Sequence, residues 1–343
     1  MKALVYQGKG KKAIEDRFKP VIQDESDAIV KITKTTICGT DLHILKGDVS
    51  TCAPGRILGH EGIGMVDQIG KSVSSFSVGD QVLISCISAC SKCENCRRGM
   101  YSHCAEGGWM LGNTIDGTQA EYVRIPHADT SLYKIPDRSD DAFVMLSDIL
   151  PTGFECGVLN GKIQPGSTVA IVGAGPIGLA VLLTAQLYSP SLIIMVDKDK
   201  HRLDIAKQLG ATHILNSSSE DIFNKIRAIT KWGVDTAIEA VGLPETFVMC
   251  ENIVAPGGTI ANIGVHGVEV PLHLERLWSQ NITLTTKLVD TVTTPTLLKM
   301  VSSKKIDPAK LVSHHFNFEE IMEAYETFEK ASKTRAIKMI INM

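Results

Sequence analysis

From about residue 166 the chain alternates strand-like and helix-like stretches, and one junction constrains the fold most: Gly173-Ala174-Gly175-Pro176-Ile177-Gly178. The apolar run at 167–173 precedes it and LAVLLTAQLY follows, so the glycines stand in a strand–turn–helix setting. Further strands are read at 191–197, 212–216, 234–242, 258–265 and 281–289. Unbroken apolar strands separated by helices need cover on both faces, which a doubly wound parallel sheet provides. Ser217-x-x-Glu220 offers a capping box to the helix after the third strand. The glycine turn lets backbone approach a pyrophosphate resting at a helix N-terminus. Asp197 ends the second strand, where a carboxylate accepts from both hydroxyls of an adenosine ribose and repels a 2′-phosphate. The pattern therefore favours NAD over NADP, against the plainer alternative of a sheet that binds no dinucleotide.

The first 150 residues read differently. AIVKITKT, GIGMVDQIG and DQVLIS are short β-branched runs parted by Gly, Asp and Ser turns. Within them lies Cys90-x2-Cys93-x2-Cys96-x7-Cys104, a spacing that turns four thiolates toward one centre and suits structural zinc. An iron–sulfur cluster opens with the same spacing but places its fourth cysteine sooner and before proline; here Ala105 follows. Two disulfides are the remaining reading. Nine cysteines, an odd number, in a chain of 343 residues point to a reducing cytoplasm instead. Cys52, Cys156 and Cys250 then read as small buried hydrophobes. The length predicts two domains. A net charge of −3 gives no electrostatic case for nucleic acid or a membrane surface, and no apolar run reads as a membrane span or a signal peptide.

Cys38 and His60 stand in CGTDLH and GHE, and Asp148 in LSDILPTG. Singly, each has an ordinary structural reading. Together they offer a thiolate, an imidazole and a carboxylate, a three-donor set that leaves zinc one position for substrate.

These segments resemble the zinc-dependent medium-chain alcohol dehydrogenases. The signature GHE-x2-G-x5-G-x2-V is complete from Gly59 to Val73, and CGTDLHI, the four-cysteine lobe, GAGPIG, Asp197 and the closing KTRAIK follow in the family's order. The resemblance implies an α/β protein: a GroES-like β-rich catalytic domain of 1–150 and 291–343, and a Rossmann NAD-binding domain of 151–290. It implies two zincs, one catalytic on Cys38, His60 and Asp148 and one structural on Cys90, Cys93, Cys96 and Cys104. Glu61 resembles a glutamate that approaches the catalytic ion, Asp41 a carboxylate orienting the ligand histidine, and Thr40 with His43 a proton relay. Thr152 matches a nicotinamide-packing threonine, Arg202 a neighbour of the adenosine ribose, and Arg335 a pyrophosphate-binding arginine. Trp109, Cys86 and Leu288 match positions around the substrate pocket. A homodimer or homotetramer, pairing through the edge strand near 281–289, is implied as well.

The expected chemistry is reversible hydride transfer between a primary or secondary alcohol and NAD. Polyol and L-threonine dehydrogenases share CGTDLH-like segments and stay open as alternatives, as does a zinc- and NAD-binding protein without turnover.

Overall fold

The computed structural model describes residues 1–136 and 141–343 and divides them into two compact units, Met1–Asp148 with Asp290–Met343, and Ile149–Val289. The expected boundaries at 150 and 290 lie within two residues of these.

The first unit is built on a seven-stranded sheet. Its centre is the strand Ala28–Thr36, which pairs antiparallel with Gly62–Ile69 and, at its start, with Tyr122–Ile125. Gly62–Ile69 pairs onward with Gln81–Ile84, and that with Leu132–Lys134. On the other side Lys338–Asn342 adds antiparallel to Ala28–Thr36, with Val312–Asn317 parallel beyond it. Periodicity leaves the assignment of the segment after 290 open; strand pairing gives it to this unit. The reason is burial: Met339 and Ile341 join Leu4, Ile37, Ile44, Leu58 and Tyr325 in one cluster of side chains shielded from water. A separate ribbon pairs Lys2–Gly8 with Lys11–Asp16.

The second unit holds six parallel strands: Thr168–Val172, Leu192–Asp197, His213–Asn216, Val234–Glu239, Val254–Asn262 and Thr283–Thr286. Numbered one to six in chain order, they stand 3-2-1-4-5-6, the doubly wound dinucleotide-binding arrangement. All six fall where the sequence places them, although the fifth starts earlier, at Val254, and the sixth is only four residues long. One local reading fails. Ser217 does not cap the helix after strand three, which begins at Ile222 with Asp221 as N-cap; the Asp221 carboxylate accepts from Asn224 N at 3.1 Å. Glu220 instead turns back to accept from Asn216 N at 2.7 Å. An adjacent aspartate competes better for the cap than the serine four residues earlier.

The helix Pro176–Ala185 leaves the glycine turn with proline at its first position, where a missing N–H costs nothing. Gly178 faces the carbonyl of Gly173 so closely that a Cβ would collide with it. Gly178→Ala should therefore push the helix off the first strand and destabilise the unit by about 1–3 kcal/mol. A thermal melt checks this, and an unchanged midpoint would mean that the turn yields without strain.

Candidate metal centres and dinucleotide site

Cys38 caps the helix Gly39–Lys46, His60 and Glu61 precede the strand Gly62–Ile69, and Asp148 follows the helical turn Asp141–Leu146. Ser147 draws the last two together: its hydroxyl accepts from Gly62 N at 3.0 Å, and its carbonyl accepts from Cys86 N at 3.0 Å. As a result one donor atom from each of Cys38, His60, Glu61 and Asp148 lies within 4.8 Å of the others, and all four side chains are buried.

The separations discriminate among them. Asp148 Oδ2 is 3.6 Å from Cys38 Sγ and 3.3 Å from His60 Nε2. Around a tetrahedral zinc with bonds of about 2.3 Å to sulfur and about 2.0 Å to oxygen and nitrogen, those edges would be about 3.5 and 3.3 Å. The three donors thus fit zinc. Glu61 Oε1 stands further off, 3.9 Å from His60 Nε2, and is occupied by Lys338 Nζ at 2.6 Å.

Lys338 is a feature sequence reasoning missed. It is 1% exposed, and its ammonium also donates to the Ile37 carbonyl at 3.1 Å. Burial is the largest influence and opposes its charge, but Glu61, Cys38 and Asp148 together hold the ammonium above its usual value. The only hint was a lysine opening the apolar run KMIIN, which reads equally well as an exposed strand end.

Charge within the cluster is out of balance. Burial pushes the Cys38 thiol up, with the Glu61 and Asp148 carboxylates adding to it. Burial would lower the His60 imidazole, yet contact with Asp148 and Cys38 drives it well above its ordinary value. Burial raises Glu61, against the pull of Lys338. Acidic donors gathered around one imidazole are in need of a cation.

The surrounding residues divide. Trp109 packs edge-on to His60, ring centroids 6.1 Å apart, and donates Nε1–H to the Leu111 carbonyl at 3.2 Å. Cys86 Sγ is 3.7 Å from Asp148 Oδ1, and burial lifts its thiol well above the usual value. Thr40 Oγ1 lies 3.7 Å from Cys38 Sγ. His43, on the same helix, bonds to Asp48 and makes no hydrogen bond to Thr40. Asp41 does not bond to His60 as the resemblance implies: its Oδ2 accepts from Cys38 N at 2.9 Å and Gln119 Nε2 at 3.1 Å. Its Oδ1 and His60 Nδ1 are both buried without a protein partner. Tyr325 braces this arrangement by donating to Gln119 Oε1 at 2.8 Å, another contact invisible in the sequence.

The sulfurs of Cys90, Cys93, Cys96 and Cys104 also lie within 4.8 Å of one another, as free thiols. A one-turn helix, Glu94–Arg97, starts at Cys93, whose sulfur accepts from Cys96 N at 3.5 Å; Cys90 N donates to Cys104 Sγ at 3.2 Å. Inward-pointing amides of Ala105 and Cys96 bring the Cys93 thiol down to about 6, while burial takes Cys96 up to about 12. Four sulfurs with no open side make a closed tetrahedral set, which fits structural zinc.

In the second unit Asp197 ends its strand with Oδ2 accepting from Ala174 N at 2.7 Å and Oδ1 from Asp199 N at 2.8 Å, so the carboxylate is bonded to the glycine turn itself. Arg202 Nη1 would be 3.8 Å from a Cβ on Gly175, and its Nε is buried without a protein partner. Thr152 ends the short helix Ile149–Thr152. Leu288 is half exposed in this unit, and Arg335 is exposed in the other at a φ of 63°.

A Rossmann sheet with its glycine turn, accompanied by a three-donor and a four-cysteine site, defines a zinc-binding dehydrogenase of the GroES-like type. Comparison with known proteins agrees. A family model for the alcohol dehydrogenase GroES-like domain matches residues 24–137, and one for zinc-binding dehydrogenases matches 176–303. An alcohol dehydrogenase of Cupriavidus necator is 34% identical, over 96% of this chain and 95% of that protein. Among solved structures, zinc dependent alcohol dehydrogenase 2 from Streptococcus pneumonia in its apo form is 55% identical, with a TM-score of 0.96 over 100% of this chain and 98% of that one. Alcohol dehydrogenase TADH from Thermus sp. ATN1 is 32% identical, with a TM-score of 0.92 over 100% and 99%. The chain belongs to the zinc-dependent medium-chain alcohol dehydrogenase family.

Removing Lys338 tests the electrostatics directly. Lys338→Met should leave Glu61 buried and unpaired, at a cost of about 3–5 kcal/mol, and Glu61→Leu in the same chain should recover most of it. Urea denaturation measures both. Equal stability of wild type and Lys338→Met would mean that the pair is not buried in solution.

Proposed function

We propose that the chain is a zinc- and NAD-dependent alcohol dehydrogenase, carrying hydride reversibly between a primary or secondary alcohol and NAD. The observation that carries this reading is the match of the Cys38, His60 and Asp148 donor separations to the edges of a zinc tetrahedron. With both groups bound, zinc would acidify the hydroxyl of the alcohol and the nicotinamide would accept hydride. The protein's own side chains supply the rest. Glu61, tied to Lys338, stays out of the donor set and leaves a position for substrate. The Thr40 hydroxyl, next to Cys38, takes the substrate proton, and His43 carries a proton onward. Trp109 and Cys86 narrow the approach to the donors.

The backbone of Gly173–Gly178 holds the pyrophosphate, Asp197 and Arg202 the adenosine ribose, and Thr152 the nicotinamide. Cys90, Cys93, Cys96 and Cys104 bind a second zinc that supports structure. Free thiols throughout suit a reducing cytoplasm. Strand Thr283–Thr286 is the open edge of its sheet, and Leu274, Trp278 and Leu284 nearby are exposed. Such an edge needs cover, and a second copy pairing there as homodimer or homotetramer provides it.

The activity is tested by NADH absorbance with primary, secondary and aromatic alcohols, polyols and amino alcohols; no turnover with any of them would sink the reading. Metal analysis should find about two zinc equivalents per chain. Cys93→Ser should remove one, lower the melting point and leave turnover per folded chain near wild type, since the lobe lacks an open position. A selective loss of turnover would give the lobe a part in the chemistry. Two charge-assisted hydrogen bonds from Asp197, each worth about 1.5–3 kcal/mol, favour NAD over NADP about a hundredfold or more. Asp197→Ser should narrow that preference from both sides and loosen the glycine turn it holds. Measuring kcat/KM for NAD and NADP in both proteins decides this, and an unchanged ratio refutes it.

A further inference from the structure

We infer that Asp48 is a positioning residue for His43, fixing which imidazole nitrogen carries hydrogen and which is free to take a proton. The inference rests on the reading of His43 as the proton carrier.

The arrangement is built by the end of one helix. Gly39–Lys46 stops at Gly47, whose φ of 86° is left-handed. Gly47 N donates to the Ile44 carbonyl at 2.9 Å and Asp48 N to the His43 carbonyl at 3.0 Å. This pair of bonds is the Schellman termination, in which the second residue beyond the helix returns over the residue five positions earlier. Backbone geometry thus delivers Asp48 to His43 before either side chain contributes. The Asp48 carboxylate completes the contact, with Oδ2 2.9 Å from His43 Nδ1, and among the described residues it has no other side-chain hydrogen bond.

A carboxylate only accepts, so the hydrogen in that bond belongs to Nδ1. Neutral imidazole carries one such hydrogen, which leaves the lone pair on Nε2. When Nε2 takes a proton, the imidazolium keeps Nδ1–H on Asp48 and passes the Nε2 proton to solvent, so His43 returns to the same tautomer for the next turnover. Both side chains are partly exposed, 28% for His43 and 42% for Asp48, so the carboxylate's effect is damped by water but the exit to solvent is short. Glycine suits position 47 because a φ of 86° strains any residue with a side chain; space is no obstacle, since a Cβ would meet Lys9 Cδ at an ordinary 3.4 Å.

The test is kcat/KM for alcohol oxidation in wild type, Asp48→Asn, Asp48→Glu, His43→Gln and the His43→Gln/Asp48→Asn double variant. An asparagine amide both donates and accepts, so it no longer selects the tautomer. Asp48→Asn should lose about tenfold, the lower end of what removing a partner of a functional histidine costs. Asp48→Glu, which keeps an acceptor, should recover most of the loss. Zinc content, melting point and NADH affinity should be those of wild type in both. In the His43→Gln background Asp48→Asn should change nothing further, because residues acting through one another are not additive. An Asp48→Asn enzyme within twofold of wild type would overturn the inference, and so would a tenfold loss that persists without His43. A His43→Gln enzyme as active as wild type would refute the relay itself, and Asp48's role with it, which distinguishes that failure from the first.

Discussion

Charge taken out of water must be neutralised where it lies, and the first unit is organised around that requirement. Cys38, His60, Glu61 and Asp148 are all buried within reach of one another. Among the described residues Lys338 is the buried ammonium bonded to the cluster, and it is committed to Glu61. The remaining thiol and carboxylate face the His60 imidazole, with Asp148 Oδ2 3.6 Å from Cys38 Sγ and 3.3 Å from His60 Nε2. The pairing with Lys338 commits the Glu61 carboxylate and leaves Asp148 to the thiol and the imidazole.

The two sulfur-bearing sites show opposite ways of building a metal site. The lobe is local: its four cysteines fall within fifteen residues, and a one-turn helix with inward-pointing amides aims them. The other cluster joins residues 110 and 88 positions apart, held by strand pairing and by Ser147. A local site keeps its geometry when the rest of the unit shifts slightly. A dispersed one registers every such shift, and that sensitivity suits a centre that must exchange one ligand.

What could be read from sequence follows the same division. The six parallel strands, the glycine turn and the four-cysteine lobe were readable because each is set by neighbours in the chain: apolar runs, a proline at a helix start, a repeated spacing. Their donor types group Cys38, His60 and Asp148 in the sequence, and the fold brings the three side chains together. The Lys338–Glu61 pair, 277 positions apart, left no such mark, because a lysine at a strand end has the same local pattern buried or exposed. The resemblance gives Asp41 to His60, but its Oδ2 is held by a donor close in sequence, Cys38 N within the helix cap, and its Oδ1 has no protein partner. The Ser217 capping box failed for the same reason, losing to an adjacent aspartate. Asp48 followed a recognisable helix stop, Lys-Gly-Asp, but only coordinates reveal what its side chain returns to.

The first unit is interrupted by the whole of the second, and strand Lys338–Asn342 lies beside Ala28–Thr36 near the other end of the chain. During synthesis this has an order built into it. The second unit, continuous in sequence, has all six of its strands once residue 289 is made. Lys338 comes later in the chain, so at that point Glu61 still waits without its ammonium and the central strand without one neighbour. A ribosome-bound chain can therefore hold a finished dinucleotide fold beside an electrostatically unfinished metal site.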